Sequence, residues 1–313
     1  VNSMSLLRRR RPGDFLAARA IRIVPLFLIA LLVNVVLIPF LPPLTEAAAL
    51  STHGPQHLIS AQAGLSVTHV LANLTLMPHV LGYECLDPVM WTLQVEILFY
   101  GVLAGLFTTG ALRRPAAAWG TLLALAWVAC RWLDGNSPET NGGLIAVARS
   151  VRALFVLDQI PFFAIGYFLY RIRVSERVSW SDLGTITFSL FVLHQIDHGK
   201  FNPIAIMLIA CLVLAAGYGK LPVLRIKPLL LLSTVSYPLY LLHNNPGSFL
   251  IHTFESVGVP SLACVVVAIL FALSVAVLLT KWCEEPLTQK LRARYTDWRS
   301  SQTLPQTQWT VAR

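Results

Sequence analysis

Long apolar segments recur along the whole chain and are separated by short polar stretches. Because an apolar helix needs about 20 residues to cross the hydrocarbon core, the pattern predicts eight membrane spans. These cover residues 21–42, 89–110, 115–133, 151–171, 183–197, 202–219, 228–251 and 259–281. A spanning helix satisfies its own backbone hydrogen bonds, so the predicted fold is an all-α, polytopic transmembrane helical bundle.

The polar ends divide the chain into three predicted regions. Residues 1–20 form a basic N-terminal segment, residues 21–281 the transmembrane domain, and residues 282–313 a basic tail. If the N-terminus is cytoplasmic and the spans alternate, 20 of the 24 Lys and Arg lie on the cytoplasmic side; the exceptions are Arg131, Arg149, Arg152 and Lys200. The positive-inside rule therefore predicts that both termini are cytoplasmic.

The composition supports a membrane protein and argues against other classes. Of the 313 residues 56% are hydrophobic and 12% charged, whereas a soluble domain has about 25% charged residues. The net charge of +9 is explained by cytoplasmic loops, so no nucleic-acid partner is expected. The five cysteines are scattered without a Cys-x-x-Cys pair, so neither a metal nor a disulfide framework is predicted.

One carboxylate lies within a strongly apolar segment, "MWTLQVEILFY", residues 90–100. Thr92, Glu96 and Tyr100 are spaced by four residues and share one face of a helix. A carboxylate that faces lipid would cost about 2.5 kcal/mol or more, so Glu96 should face the bundle interior or a watery cavity. A functional role is favoured, and an interhelical ion pair or hydrogen bond is the alternative.

A second polar group of residues lies in "STVSYPLYLLHNNPG", residues 233–247. Tyr240 and His243 fall on one helical stripe with Ser236. The Asn-Asn-Pro run after His243 is predicted to end or kink the helix there, because proline lacks an N–H group and restricts the residue before it. Structural and catalytic roles for the histidine both remain open.

Three ionisable residues are predicted to lie at a similar depth in the membrane. Glu96 lies about 10 Å below the outer end of its span, at 1.5 Å per residue. His243 has a similar depth, and Asp158 in "FVLDQIPFFAIGYFLY" falls in the outer half of its span. The hypothesis is that they line one polar cavity, in which a carboxylate beside an imidazole would suit general base catalysis.

Five sequence elements, in order, resemble the membrane acyltransferase-3 family. "WTLQVEILFY" is similar to the family's Trp-(Ser/Thr)-Leu-x-x-Glu-x-x-Phe-Tyr signature, and "FLAARAIRIVPLF" to its basic helix entry with Arg19, Arg22 and Pro25. The others are "IPFFAIGYFLYRI", "SYPLYLLHNNP" and "WCEEPL". "NLTLMP" and "DPVMWTL" resemble the branch that acetylates exopolysaccharides.

The resemblance implies a bacterial inner-membrane O-acyltransferase of exopolysaccharide, lipopolysaccharide or similar glycans. It would transfer an acetyl group from cytoplasmic acetyl-CoA to a hydroxyl of a glycan or lipid-linked sugar. The implied catalytic residues are Glu96 and His243, and Trp91, Tyr240 and Asp158 would bind the acceptor. Arg19 and Arg22 would meet the phosphates of CoA, since arginine pairs with phosphate bidentately; plain anchoring by these cations is the alternative.

The sequence departs from the family pattern at its start. Family members begin with two further spans, and the first carries an arginine and a histidine central to catalysis. "VNSMSLLRRRRPGDF" resembles the loop after the second of these spans, so the chain is expected to correspond to the following eight. The alternative hypotheses are an incomplete, inactive relative and a transporter, either a proton-coupled glycan exporter or a lipid-linked sugar flippase. A transporter is an alternative because buried Glu, Asp and His also build proton relays.

Overall fold

The structure is a computed structural model that describes residues 12–40, 65–136, 142–196 and 202–302. Within these ranges the regular structure is helical, without a strand. The helices are α1 (Pro12–Leu37), α2 (Val67–Leu74), α3 (Trp91–Thr108), α4 (Pro115–Asp134), α5 (Gly142–Leu154), α6 (Ile160–Ser175), α7 (Trp180–Ile196), α8 (Pro203–Gly217), α9 (Lys227–Leu242), α10 (Asn245–Ser256), α11 (Ser261–Leu279) and α12 (Glu285–Gln302). The predicted all-α fold is confirmed.

Several helices are long and apolar enough to cross a bilayer. Among the described residues these are Pro12–Phe40, Pro88–Thr108, Pro115–Asp134 and Ser261–Ser301. A fifth candidate is the pair α5 and Leu157–Ser175, which is bent by 45°. The protein is therefore a multi-pass helical membrane protein, while eight spans and cytoplasmic termini stay predictions.

The chain forms two compact units. The first comprises Val1–Phe15 and Ser66–Leu231, and the second comprises Leu16–Leu65 and Leu232–Arg313. Helices α2 to α8 belong to the first unit. Most of α1 and α9 and all of α10 to α12 belong to the second. Glu96 and Asp158 therefore lie in the first unit, and His243 lies in the second.

Aromatic side chains form the core of the first unit. The Phe99 ring on α3 stacks on Phe163 of α6 with a centroid distance of 3.6 Å. Trp119 of α4 is fully buried and lies 5.5 Å from the Tyr167 ring of α6. Helix α7 packs against both α4 and α6. Burial of these large rings, each a major contribution to core energetics, holds the helix that carries Glu96 in place.

The segment predicted as one span over residues 228–251 is two helices. Helix α9 ends at Leu242 and α10 begins at Asn245, so the predicted helix break is confirmed, although it begins at His243 itself and not after it. Pro246 supplies the reason, since it lacks an N–H group and restricts the residue before it. Pro238 is tolerated within α9. In the same unit, α10 packs on α11, which continues through a π-helical turn (Thr280–Glu284) into α12.

Candidate active site

Glu96 is half-buried on α3 and is held by a neighbouring tyrosine. The Tyr100 hydroxyl, one turn further along, donates a hydrogen bond to Glu96 Oε1. Tyr100 is only 2% exposed and meets the Phe15 ring edge-on, with centroids 5.5 Å apart. Packing of this ring fixes the hydroxyl and, through it, one carboxylate oxygen. The expectation that Glu96 and Tyr100 share a helix face is confirmed; the catalytic role of Glu96 stays a prediction.

Trp91 is the first residue of α3 and is 45% exposed. The turn before it is capped by the buried Asp87, whose side chain accepts a hydrogen bond from the Val89 N–H at 3.1 Å. This cap satisfies one of the donors that a helix start leaves unpaired. Trp91 is thus placed at the surface beside a well-defined helix start. Its contact with an acceptor stays a prediction.

Asp158 is engaged in an ion pair that the sequence reasoning missed. The Arg152 Nε lies 3.0 Å from both carboxylate oxygens of Asp158, and its Nη2 lies 2.6 Å from Oδ1. Arg152 Nη1 also reaches Asp134 Oδ1 at 3.3 Å. Arg152 and Asp158 flank the bend between α5 and α6, where Val156 has a φ of 50°, and Asp134 is the last residue of α4. An acceptor that contacts Asp158 would therefore meet an arginine-paired carboxylate.

The sequence feature that could have predicted this cluster is the presence of charged residues within or next to apolar segments. Arg152 was one of four cations outside the predicted cytoplasmic side, and its two carboxylate partners account for its place there. Arginine suits this role because its planar guanidinium binds carboxylates bidentately.

His243 lies in the break between α9 and α10, and its ring orientation is set by backbone carbonyls. Nδ1 lies 2.8 Å from the Tyr240 carbonyl oxygen and 3.3 Å from that of Leu239. The last carbonyls of a helix lack backbone partners, and the imidazole supplies one here. Because a carbonyl only accepts hydrogen bonds, Nδ1 carries the proton, which leaves Nε2 as the basic atom of the neutral ring. The Tyr240 ring lies 6.0 Å from the imidazole.

A chain of buried amides connects this break to α1 within the second unit. Asn245 Nδ2 donates to Asn34 Oδ1 at 2.6 Å, and Asn34 Nδ2 donates to the Ala30 carbonyl at 2.9 Å. Asn244 Nδ2 extends the chain by donating to Asn245 Oδ1 at 3.2 Å. Asn34 is completely buried. This hydrogen bond fixes Asn245, two positions after His243. The only sequence feature that pointed to it was a single Asn, Asn34, in an apolar span.

Replacement of Asn34 by Leu is expected to lower the free energy of unfolding by about 1–2 kcal/mol, because it leaves the buried Asn245 amide without this acceptor. The measurement is SDS-induced unfolding in mixed micelles. Asn245→Leu and the double variant complete a cycle, and the double variant should lose less than the sum of the single losses. Strict additivity would show that the amide pair contributes nothing.

Arg19 and Arg22 both lie within α1 and have different surroundings. Arg19 is buried, whereas Arg22 is exposed and acts electrostatically on the Glu284 carboxylate in the π-helical turn. One turn after Arg19, the Ile23 carbonyl accepts a hydrogen bond from the Tyr237 hydroxyl at 2.8 Å. Of the two predicted CoA ligands, Arg22 is the one accessible at the surface of its unit. The role of both stays a prediction.

Cys85, in the loop before α3, is a buried thiol in acidic surroundings. Burial, together with the carboxylates of Glu84 and Asp87, raises its pKa to about 12. Alkylation requires the thiolate, and the pKa is about three units above the ordinary 9.0, so at pH 8 the thiolate fraction is lower by about 10³-fold.

A variant that retains only this cysteine should therefore react with maleimide at pH 8 at least about 10³-fold more slowly when folded than in denaturing SDS. The other four cysteines, Cys130, Cys211, Cys264 and Cys283, are replaced by Ala. Equal alkylation rates in the two states would contradict the burial of the thiol.

No metal centre can be assigned to the part of the chain that the structure describes. There, no three His, Cys, Asp or Glu side chains are grouped closely enough to hold an ion.

Comparison with known proteins identifies the family. Residues 3–281 match the acyltransferase domain family. The exopolysaccharide production protein ExoZ of Rhizobium meliloti (strain 1021) is 28% identical over 293 residues, covering 90% of this chain and 83% of ExoZ. No solved structure shows significant similarity to the chain. Because the family match spans most of the chain and includes the helices that carry Glu96 and His243, the protein belongs to the acyltransferase domain family and is a membrane acyltransferase.

Proposed function

We propose that the protein transfers an acetyl group from cytoplasmic acetyl-CoA to a sugar hydroxyl of an exopolysaccharide or its lipid-linked precursor, in the bacterial inner membrane. Family membership, the observation that carries the proposal, supports the reaction class. The similarity to an exopolysaccharide production protein supports the acceptor class.

His243 is the general base in this proposal. Its Nδ1 is occupied by backbone carbonyls, so Nε2 accepts the proton of the acceptor hydroxyl. The deprotonated oxygen forms the new ester bond, and the thioester bond of the donor breaks. His243 then returns its proton to the sulfur, so the products are the acetylated glycan and CoA with a free thiol. A positioned base of this kind contributes about 10²- to 10⁴-fold.

Glu96 supplies fixed negative charge in a half-buried setting. The Tyr100 hydroxyl holds one of its oxygens, which reduces the reorganisation needed when charge develops during the reaction. We assign to Glu96 the role of orienting a base or stabilising charge in the reaction. Trp91, Tyr240 and Asp158 contact the acceptor, Asp158 together with its arginine partner.

The donor is held at the start of α1. Acetyl-CoA would supply a thioester-activated acetyl group, and its phosphates are anionic. Arg22 is exposed and its guanidinium suits a phosphate, while the buried Arg19 one turn earlier adds positive charge from within the helix bundle.

The test is acetyl transfer by the purified protein in proteoliposomes. Acetyl-CoA labelled in the acetyl group is supplied with alkali-deacetylated exopolysaccharide of the producing strain. Label should enter the polymer as an alkali-labile ester, with one free thiol released per ester. The same reaction with butyryl-CoA tests the choice of acyl group. If the polymer crosses the bilayer but remains unlabelled, the protein is an exporter and the proposal is wrong.

A further inference from the structure

The loop between α2 and α3 is held in one conformation by a buried amide. Asn73 Nδ2 donates to the Glu84 carbonyl at 2.9 Å and to the His69 carbonyl at 3.1 Å. Its Oδ1 accepts a hydrogen bond from the Leu86 N–H at 3.0 Å. Asn73 is 2% exposed, so these bonds form away from water, where leaving them unmade is costly. One side chain thereby fixes both the helix α2 and the loop segment 84–86.

Two titratable side chains of this loop form an accessible pair. Glu84 Oε2 lies 3.2 Å from His79 Nε2, and the side chains are 35% and 30% exposed. The His79 backbone N–H donates to Gln94 Oε1 at 3.2 Å, which ties the pair to the helix that carries Glu96. The His69 Nε2 adds a second hydrogen bond to the Glu84 carbonyl at 2.9 Å. Polar groups ordered in this way lose little entropy when they bind a ligand.

An aromatic ring is presented next to this pair. The Tyr83 ring stacks on the His69 ring with a centroid distance of 5.8 Å and an interplanar angle of 29°, yet it is 37% exposed. The chain turns into this position through left-handed backbone at Gly82, with a φ of 78°, and at Leu76, with a φ of 62°. Such a conformation is costly for leucine and persists at sites where the surroundings enforce it, among them ligand clamps.

The charge of the loop indicates which ligand these groups suit. The stretch from residue 41 to residue 112 contains no Lys or Arg, so the loop itself offers no such cation to a phosphate or an anionic lipid headgroup, which the Glu84 carboxylate would repel. A carboxylate accepts hydrogen bonds from hydroxyl groups, and these charge-assisted bonds are stronger than neutral ones. An exposed aromatic ring offers an apolar face with a polar edge. A pyranose ring, with its C–H face and its hydroxyl rim, matches both features.

We propose that His79, Tyr83 and Glu84 form a carbohydrate subsite that binds one sugar ring of the acceptor glycan. This inference rests on the proposed function, because it adds a further contact for the acceptor of that reaction. The subsite precedes Trp91 and Glu96 in the chain and is bonded to their helix through Gln94. The role assigned to the subsite is to position the glycan beside this helix.

Initial rates in proteoliposomes test the subsite, with deacetylated exopolysaccharide oligosaccharides of the producing strain as acceptor. Tyr83→Ala and Glu84→Gln should each raise the KM for the oligosaccharide at least about tenfold, because each removes a ligand contact. The KM for acetyl-CoA and the kcat at saturating acceptor should stay unchanged. Tyr83→Phe, which keeps the ring, should behave as wild type, as should Trp180→Ala at the 90% exposed start of α7.

Calorimetric binding of the same oligosaccharides separates the two proposals. Glu84→Gln keeps the backbone carbonyl that Asn73 and His69 bind, so weaker binding by this variant would not reflect a lost loop structure. If the wild type transfers acetyl groups and both variants bind and react as it does, the subsite is wrong while the function stands. If the wild type binds the oligosaccharides through these residues without transferring acetyl groups, the proposed function is wrong and the subsite stands.

Discussion

Glu96→Gln is expected to reduce acetyl transfer by about 10²- to 10³-fold, the usual effect of removing one preorganised electrostatic group from a reacting centre. Glutamine keeps the volume of the side chain and an oxygen that can accept the Tyr100 hydrogen bond, so the loss reports the negative charge. The measurement is kcat/KM in the proteoliposome assay, together with the thermal stability of each variant.

Two further substitutions make this result interpretable. Glu176→Gln changes a carboxylate that is 76% exposed at the end of α6 and should leave the rate unchanged. Tyr100→Phe removes the hydroxyl that holds Glu96 and should lower the rate by a smaller factor than Glu96→Gln. Normal acetylation by Glu96→Gln with impaired polymer export would instead assign the carboxylate to transport.

His243→Gln is expected to lower kcat/KM by about 10²- to 10⁴-fold, because glutamine cannot accept the proton of the acceptor hydroxyl. Its amide can still donate to the Tyr240 carbonyl, so the end of α9 keeps its hydrogen bond. The measurement is kcat/KM for acetyl transfer in the proteoliposome assay, together with the thermal stability of the variant.

A histidine in the same unit provides the matched control. His252 is exposed on α10, and His252→Gln should retain the wild-type rate. If His243→Gln retains the wild-type rate as well, another group is the base. In that case His243 acts only through its hydrogen bonds to the backbone.

Much of the fold follows from local composition. Apolar runs predicted helices at each of the eight segments, and the Asn-Asn-Pro run predicted the break that the structure places between Leu242 and Asn245. The predicted spans 151–171 and 228–251 are each divided between two helices, and in the first and the last apolar helix polar residues continue the helix beyond its apolar part. Helix α1 begins at Pro12 and includes Arg19, and α12 extends the last apolar helix to Gln302. Hydropathy predicts which part of a helix can lie in the hydrocarbon core, whereas the residues at which the helix begins and ends depend on backbone hydrogen bonds.

The sequence also showed which polar residues of the apolar helices should have a partner or a function, because a charge in such a helix is costly. It did not predict which residues are their partners. Asp158 was expected to meet a substrate, but its nearest cation is Arg152; Asn34 pairs with an amide 211 positions away. The loop that carries His79 and Glu84 has no hydrophobic periodicity from which its conformation could be predicted.

The sequence by itself determined the helical class, the membrane environment and the family, because these depend on composition, spacing and motif order within short segments. Only the tertiary structure decided which polar side chains meet. Helix packing brings Asn34 to Asn245, which is 211 positions away. Even the local pair of Arg152 and Asp158 depends on the backbone bend between the two residues, which composition does not determine.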